Sequence, residues 1–314
     1  MKMQMDFLLL VALAAAVATP AFGQTAPPAA GRANGGPQST TSIPNFSGIW
    51  VHPSLPGFEP PLSGPGPVRN RSRRPDGASN FNQLVGDYTN PILKPEAAAI
   101  VKKHGEISLA GVTYPTPSNQ CWPGGVPYMF WNIEMQMLQQ PHQVTILYWS
   151  NQEVRRVRMN QSHPADVIPS WYGDSVGHYE GDTLVIDTVG VKIGPFAMVD
   201  MYGTPHSPAL HVVERYRLLD YEATKEAADR DAKENFQLLG GGDAGAAADL
   251  NYRGKGLQLH FTVEDEGAFT MPWSATITYR RGLGPWREYV CAENRHEYYN
   301  NKESKVPTAD KPDF

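Results

Sequence analysis

The chain has 314 residues, of which 41% are hydrophobic and only 19% are charged, and it contains 29 glycines and 28 prolines. Charged residues are fewer than the about 25% of a typical domain, whereas glycine and especially proline are over-used. Long uninterrupted helices are therefore disfavoured, and the apolar fraction excludes disorder over the whole length. The net charge of −5 argues against a nucleic-acid partner, since phosphate binding requires Lys and Arg gathered on one face.

The first 23 residues have the layout of a secretory signal peptide. Lys2 precedes an apolar run over residues 7–17, and the small residues Ala21 and Gly23 provide a cleavage site before residue 24. Residues 24–43 are mostly Ala, Pro, Gly, Ser and Thr and predict a flexible lead-in. No later segment approaches the roughly 18 apolar residues of a membrane span. From the signal peptide we expect an exported protein, periplasmic or secreted.

Residues 44–300 predict a single β-rich domain. Several of its segments alternate apolar and polar residues with the period of a β-strand, namely 133–137, 144–148, 153–159, 183–189, 209–219, 257–263 and 273–280. Short turn sequences between neighbouring segments predict hairpins. The sequence therefore predicts a mainly β fold with a few short helices, an antiparallel meander that closes into a barrel or folds into a two-sheet sandwich.

Two segments have the composition of helices. Residues 93–104 include Pro95, which suits a first helical turn, and they end in basic residues before Gly105. Residues 221–235 are rich in Ala, Glu, Lys and Asp, and we interpret them as a solvated helix inside an insertion at about residues 221–255. Residues 301–314 are expected to form a C-terminal tail.

The chain contains two cysteines, Cys121 and Cys291. In an oxidising compartment, a disulfide between them is favoured over two free thiols. Such a bridge would tie the first strands to the last. A catalytic role for Cys121 is disfavoured, because the sequence around it holds no activating residue.

Linked motifs follow one another between residues 163 and 215: His-Pro-Ala-Asp at 163–166, Pro-Ser-Trp-Tyr-Gly at 169–173, Ser-Val-Gly at 175–177, Glu-Gly-Asp-Thr-Leu-Val-Ile-Asp-Thr at 180–188 and Pro-His-Ser-Pro-Ala-Leu-His-Val-Val-Glu-Arg at 205–215. Together they resemble a large group of exported bacterial proteins of unassigned function. The resemblance extends over roughly residues 43–297 apart from the insertion, and it implies no particular activity. The chain departs from the group at Asp174, where His is frequent, and at Tyr179, where Trp is frequent.

Strand phase singles out Glu214 as a candidate interior acid. It shares a strand face with apolar residues, whereas His211 and Arg215 point the other way. A buried carboxylate that is merely desolvated has a raised pKa and can act as a general acid or base. The alternative is a structural ion pair with Arg155 or Arg156.

The segment around His163 combines an imidazole with carboxylates on a predicted loop. His163 with Asp166 or Asp174 can form an oriented imidazole for proton transfer near neutral pH. The alternative is turn bonding by Asp166 and a surface histidine. Asp187 lies on a strand whose two faces are equally apolar, and we favour an exterior or turn-anchoring role for it.

Two further histidines, His206 and His211, lie five residues apart across a turn into a strand. With His178 they could complete a three-histidine zinc site, but their spacing matches no recognised metal signature. We therefore predict neither a metal nor another cofactor, and we treat His206 and His211 as candidate proton-transfer residues.

These residues predict an exported enzyme that performs acid/base chemistry, of lyase, isomerase or hydrolase type, on a small apolar or aromatic molecule in a barrel pocket. The loops 163–177 and 191–207 would lie over one mouth of the barrel. His163 would be the base or acid, an Asp its orienter, and Glu214 a second proton-transfer group. The alternative is a non-catalytic periplasmic carrier of an apolar small ligand. Substrate contacts are expected from Trp131, Trp171, Tyr172, Arg155 and Arg215, the last two as anion stabilisers.

Overall fold

The computed structural model describes residues 43–52, 54–55, 57–237, 248–249, 251–284, 286 and 288–291. The predicted signal peptide, the lead-in up to residue 42 and the predicted C-terminal tail lie outside these residues. Among the described residues, no helix is long and apolar enough to cross a membrane.

The described chain is mainly β. Its strands are β1 (Gly48–Val51), β2 (Ser54–Leu55), β3 (Glu134–Gln139), β4 (Gln143–Tyr148), β5 (Glu153–Met159), β6 (Asp174–Glu180), β7 (Thr183–Val189), β8 (His211–Leu219), β9 (Phe236–Gln237), β10 (Gly256–Glu264) and β11 (Trp273–Arg281). The two predicted helices are present as α1 (Pro95–Leu109) and α2 (Tyr221–Glu234). The predicted end of the first helix at residue 104 is wrong, because α1 continues through the buried Gly105 to Leu109. Shorter 3-10 turns lie at Ser118–Gln120, Tyr128–Trp131 and Ser150–Gln152.

A closed barrel forms from the strands in the order β1-β11-β10-β8-β7-β6-β5-β4-β3, and β2 pairs with β9 separately. Within the described barrel, neighbouring strands are antiparallel except for β5 and β6, which are parallel. A ring with an odd number of strands cannot alternate direction all the way round, so a parallel pair is a geometric requirement. The predicted barrel is confirmed, and the parallel pair interrupts the predicted meander.

Side chains alternate between the two faces of the barrel wall. In β5, Arg155 and Val157 are buried in the interior, whereas Val154 and Arg156 are exposed outside. We call the end at which β5 begins and β7 finishes the lower end, and the end at which β8 finishes and β10 begins the upper end. The interior is a packed core whose large buried side chains include Ile146, Tyr148, Ile186, Tyr216, Phe261 and Tyr279.

The segment between β5 and β6 runs along the outside of the barrel. Because β5 finishes at the upper end and the parallel β6 begins at the lower end, residues 160–173 must return over the outer wall. Gly173 makes the turn into β6 with a φ of 71°, and a Cβ there would lie 2.7 Å from the Val189 carbonyl oxygen. The predicted loop 163–177 is therefore shorter than expected, since β6 begins at Asp174, and its first part covers the wall rather than a mouth.

The two cysteines lie at disulfide distance, with their Cα atoms 5.5 Å apart. Cys121 follows the turn Ser118–Gln120, and Cys291 lies beyond β11. The pair connects two segments that are 170 residues apart in the sequence, as predicted.

Candidate functional site

Glu214 points into the barrel interior, as strand phase predicted, and forms a buried ion pair with Arg155. Glu214 Oε2 accepts a hydrogen bond from Arg155 Nη1 at 2.9 Å, and Oε1 accepts one from Nη2 at 2.5 Å. The hydroxyl oxygens of Ser175 and Thr188 accept further bonds from the guanidinium, and Tyr216 donates to Glu214. Both charged side chains are at most 1% exposed. The structure thus shows the ion-pair alternative, with Arg155 as the partner.

A second cluster of charged side chains lies on the outer face of the wall. His163 Nδ1 is 2.6 Å from Asp174 Oδ1, and His163 Nε2 is 2.9 Å from Asp187 Oδ1. His211 Nε2 is 3.0 Å from the other carboxylate oxygen of Asp187. A basic and an acidic residue extend this line at its two ends. We call the whole line of alternating charges the outer His–Asp chain: Arg158, Asp174, His163, Asp187, His211 and Glu264.

Hydrogen bonding in the outer His–Asp chain favours the charged form of His211. Carboxylates accept but do not donate, and both ring nitrogens of His211 lie beside carboxylate oxygens, so its two bonds form together only when both nitrogens are protonated. The hydrogen bond to Asp187 raises the pKa of His211 to about 9. Burial alone would raise the pKa of Asp187, but the bonds from His211 and His163 overcome this and hold it below its usual value. These ion pairs fasten residues 160–173 to the wall.

The barrel wall separates the outer His–Asp chain from Glu214. Asp187 is paired with Val213 and faces outward, whereas the adjacent pair of Ile186 and Glu214 faces inward. The structure therefore brings His163 together with its predicted carboxylate partner, but it does not bring His163 to Glu214. Because proton transfer requires hydrogen-bond reach, these two residues cannot act on one bound substrate.

The remaining outward-facing candidates lie outside the outer His–Asp chain. Asp166 is exposed on the segment between β5 and β6. Arg215 donates to Glu180 Oε2 at 2.6 Å, and His178 bonds to the same carboxylate group. His178 and His211 thus bond to different carboxylates. In the part of the chain that the structure describes, no group of three or more His, Cys, Asp or Glu residues is arranged to hold a metal ion.

An aromatic cleft lies at the lower end of the barrel, bordered by residues of the predicted loop 191–207. The ring of Trp122 is 5.4 Å from that of Trp171 and 6.1 Å from that of Phe196, measured between centroids. The ammonium group of Lys192 lies 4.8 Å from the centre of the Trp171 ring. His206 also lines this cleft, and burial lowers its pKa, so the neutral imidazole is favoured.

A second recess adjoins the aromatic cleft, and Trp122 lines both. Glu153, the first residue of β5, lies in this recess with Tyr128 and Trp131. Glu153 is buried, and one of its oxygens accepts the backbone N–H of Gly124 at 2.9 Å. Among the described residues, no Lys, Arg or His forms an ion pair with it. Burial raises the pKa of Glu153 to about 7, against the opposing effect of the Gly124 bond. We call this site the Glu153 recess.

Predicted substrate-binding residues are divided between these places. Trp171 lines the aromatic cleft and Trp131 lines the Glu153 recess. Burial and, to a smaller extent, the charge of Glu153 raise the pKa of Tyr172; Tyr172 lines neither the aromatic cleft nor the Glu153 recess. Arg155 and Arg215 belong to neither place, because one is sealed in the barrel and the other is held on its outer wall.

Sequence reasoning missed Glu153, although the signal was present. Glu153 shares the inward face of β5 with Arg155, Val157 and Met159, and the argument that singled out Glu214 applies to it equally. The convergence of Trp122 with Lys192 and Phe196 had no comparable signal, because it arises only when two separate segments meet at the lower end.

The two adjoining sites combine a surface that can bind a flat apolar group with a carboxyl group that can exchange a proton near pH 7. In comparisons with known proteins, no protein-family model, curated protein or solved structure matches the chain.

Proposed function

We propose that this protein is an enzyme that performs acid/base chemistry on a small aromatic or apolar molecule bound in the aromatic cleft, with Glu153 as the proton-transfer group. The observation that carries the proposal is the placement of Glu153, a buried carboxyl group beside an aromatic surface and without an ion-pair partner among the described residues. A buried carboxylate with a structural role is normally paired, as Glu214 is with Arg155.

The aromatic cleft supports a flat substrate. The rings of Trp122 and Trp171 meet at 70°, so a third ring can stack on one of them and present its edge to the other. Lys192 adds a positive charge beside Trp171. These contacts favour an aromatic or apolar molecule that carries a polar or anionic substituent.

The Glu153 recess supports proton transfer. With a pKa of about 7, Glu153 is present in both ionised and protonated forms near neutral pH, so it can remove a proton and return it at another position. The Gly124 N–H holds one carboxylate oxygen in place. Neutral His206 in the adjoining cleft can exchange a second proton. Isomerase and lyase reactions need these steps, and a hydrolase would use Glu153 to activate water.

For the outer His–Asp chain we propose a positioning role. The outer His–Asp chain fastens residues 160–173 to the barrel wall, and Trp171 of this segment lines the aromatic cleft. His163, Asp174 and His211 would then affect the substrate through the placement of Trp171. None of them would take part in proton transfer.

Proton exchange of candidate substrates tests the proposal. The full chain is incubated in D₂O with a panel of small aryl carbonyl and phenolic compounds, and NMR follows deuterium incorporation and conversion. We expect Glu153→Gln to lower the rate about 10²–10⁴-fold, while binding, followed by tryptophan fluorescence, is retained. Glu96→Gln is the matched control, since Glu96 is exposed on α1, and it should change neither quantity.

Two outcomes would count against the enzyme proposal. Binding of panel compounds without exchange or conversion would support the carrier alternative. Equal rates for the wild type and Glu153→Gln would contradict the role of Glu153.

Export of the protein, to the periplasm or out of the cell, is part of the same proposal. The disulfide-distance cysteines are compatible with an oxidising compartment, and the predicted signal peptide supports export. Cell fractionation with N-terminal sequencing should find the chain outside the cytoplasm, beginning near residue 24. A cytoplasmic chain with its leader intact would contradict this.

A further inference from the structure

A second pair of adjoining pockets lies at the upper end of the barrel, away from the aromatic cleft. Both pockets are lined by Tyr252 and Arg281. Lys225 and Arg280 line the first pocket, and Lys255 lines the second. We call the combined region the basic recess.

The fold gathers these cations from separate parts of the chain. Arg280 and Arg281 are the last residues of β11, and Lys255 directly precedes β10. Lys225 lies near the start of α2, which follows the end of β8. Because β8, β10 and β11 are neighbours in the barrel, their upper ends bring the four positive charges together.

Four cations of the basic recess have no carboxylate partner among the described residues. No carboxylate oxygen of these residues lies within 4.0 Å of the side-chain nitrogens of Lys225, Lys255, Arg280 or Arg281. Asp249 also lines the recess, but its side chain accepts the backbone N–H of Asn251. Several arginines elsewhere in the fold are paired with carboxylates: Arg155, Arg158, Arg215 and Arg230.

Aromatic rings and backbone contacts position the basic groups. The Arg281 guanidinium lies 5.2 Å from the centre of the Trp50 ring and donates to the Ser47 carbonyl at 3.1 Å. Arg253 lies 5.0 Å from the centre of the Tyr221 ring. Tyr252 is 40% exposed, so it offers an accessible flat surface beside the positive charges.

We propose that the basic recess binds a small organic anion, with a phosphate or carboxylate group held by the four cations and a flat apolar body lying on Tyr252. Guanidinium groups bind such oxyanions through paired N–H donors. The concave shape and the net charge of −5 favour a small anion over a polyanion such as nucleic acid. This site does not depend on the function proposed above, because it lies at the opposite end of the barrel.

Isothermal titration calorimetry of the full chain with phenyl phosphate, benzoate, inorganic phosphate and phenol tests the proposal. We expect at least one aromatic anion to bind at millimolar concentration, phenol to bind much more weakly, and added salt to weaken binding of the anion. The comparison of phenyl phosphate with benzoate identifies the preferred oxyanion. The double variant Lys225→Ala/Arg280→Ala should lose at least tenfold in affinity for the anion that binds.

The matched control is Lys103→Ala/Arg156→Ala, which removes one lysine and one arginine from exposed positions on α1 and β5 and should bind like the wild type. Trp122→Ala should lose any binding of the aromatic probes in the aromatic cleft, but it should keep the binding event that Lys225→Ala/Arg280→Ala weakens. This difference distinguishes the two sites. Unchanged affinity in the Lys225→Ala/Arg280→Ala variant, equal binding of phenol and phenyl phosphate, or no binding of any probe would overturn the proposal. If circular dichroism shows that the double variant is unfolded, Lys225→Gln at its exposed helix position tests the same loss of affinity.

Discussion

Glu153 and Glu214 both occupy inward-facing positions on barrel strands, and both are buried, yet their surroundings differ. Glu214 faces the guanidinium of Arg155, so its charge is balanced inside the protein. Glu153 accepts a hydrogen bond from the backbone N–H of Gly124 and has no ion-pair partner among the described residues, and burial raises its pKa to about 7. At the scale of single residues, a buried cation accompanies Glu214, and no ion-pair partner among the described residues accompanies Glu153.

The buried ion pair leads to a prediction about stability. Replacing Glu214 with Gln leaves the Arg155 charge buried without a counter-charge, and we expect the free energy of unfolding to fall by about 3–5 kcal/mol. Urea unfolding at neutral pH measures this difference.

Two further variants serve as controls for that measurement. Glu264→Gln changes an exposed carboxylate of the outer His–Asp chain and should cost less than about 1 kcal/mol. Replacing both Arg155 and Glu214 with Leu removes both charges and should be less damaging than Glu214→Gln alone. A Glu214→Gln protein as stable as the wild type would show that the pair does not hold the barrel interior together.

At the scale of elements, the parallel pairing of β5 and β6 has the largest consequence. It sends residues 160–173 across the outer wall, where His163 meets carboxylates of β6 and β7. A hairpin cannot join two parallel strands, so a longer segment connects β5 to β6. The outer His–Asp chain holds this segment against the wall. Its position also explains how Trp171 arrives at the lower end, directly before β6 begins.

The outer His–Asp chain makes stability depend on pH. The folded pKa of His211, about 9, lies above its ordinary value of 6.5, so its stabilising contribution is full below pH 6.5 and is lost as the pH rises through 9. We expect His211→Gln to reduce the free energy of unfolding at pH 6 by up to about 1 kcal/mol and to have little effect at pH 9.5.

Urea unfolding at both pH values measures this difference, with His142→Gln as the control because His142 is exposed in a turn. An equal effect of His211→Gln at pH 6 and pH 9.5 would contradict the account. The lowered pKa of Asp187 has the opposite pH dependence. The contribution of Asp187 to folding stability is present at neutral pH and is lost only as the pH falls below 3.8, the ordinary pKa of this carboxyl group.

Long strands with strict alternation were predictable, and short or interrupted ones were not. The segment 153–159 coincides with β5, and 183–189 coincides with β7. β1 has four residues, too few for a periodic signal. β6 contains Gly177 and follows Pro169 closely, so its sequence resembles a loop. The parallel pair was not predictable, because local turn signals describe hairpins and do not count the strands of a closed ring.

The candidate site was predictable only in parts. The alternation of apolar and polar residues correctly predicted that Glu214 points inward, and the same alternation in β5 contained the signal for Glu153. The pairing of His163 with Asp174 was predicted, and the structure contains it. The separation of His163 from Glu214 by the barrel wall depends on the path of residues 160–173, which is a property of the closed fold and not of any local pattern.

At the scale of the whole molecule, the barrel keeps two kinds of surface apart. The lower end presents aromatic rings and a titratable carboxyl group. The upper end presents Lys225, Lys255, Arg280 and Arg281, which have no carboxylate partners among the described residues. A packed interior lies between them. This division keeps the proposed proton-transfer site apart from the proposed anion site.

The central claim is that Glu153 titrates near neutral pH within reach of a bound substrate. Carboxyl ¹³C NMR of the full chain, with Glu153→Gln used to assign the resonance, measures this directly. We predict a midpoint near pH 7 that shifts when an aromatic compound occupies the cleft. A midpoint near the ordinary value of 4.5, unchanged by every compound that binds, would contradict the claim.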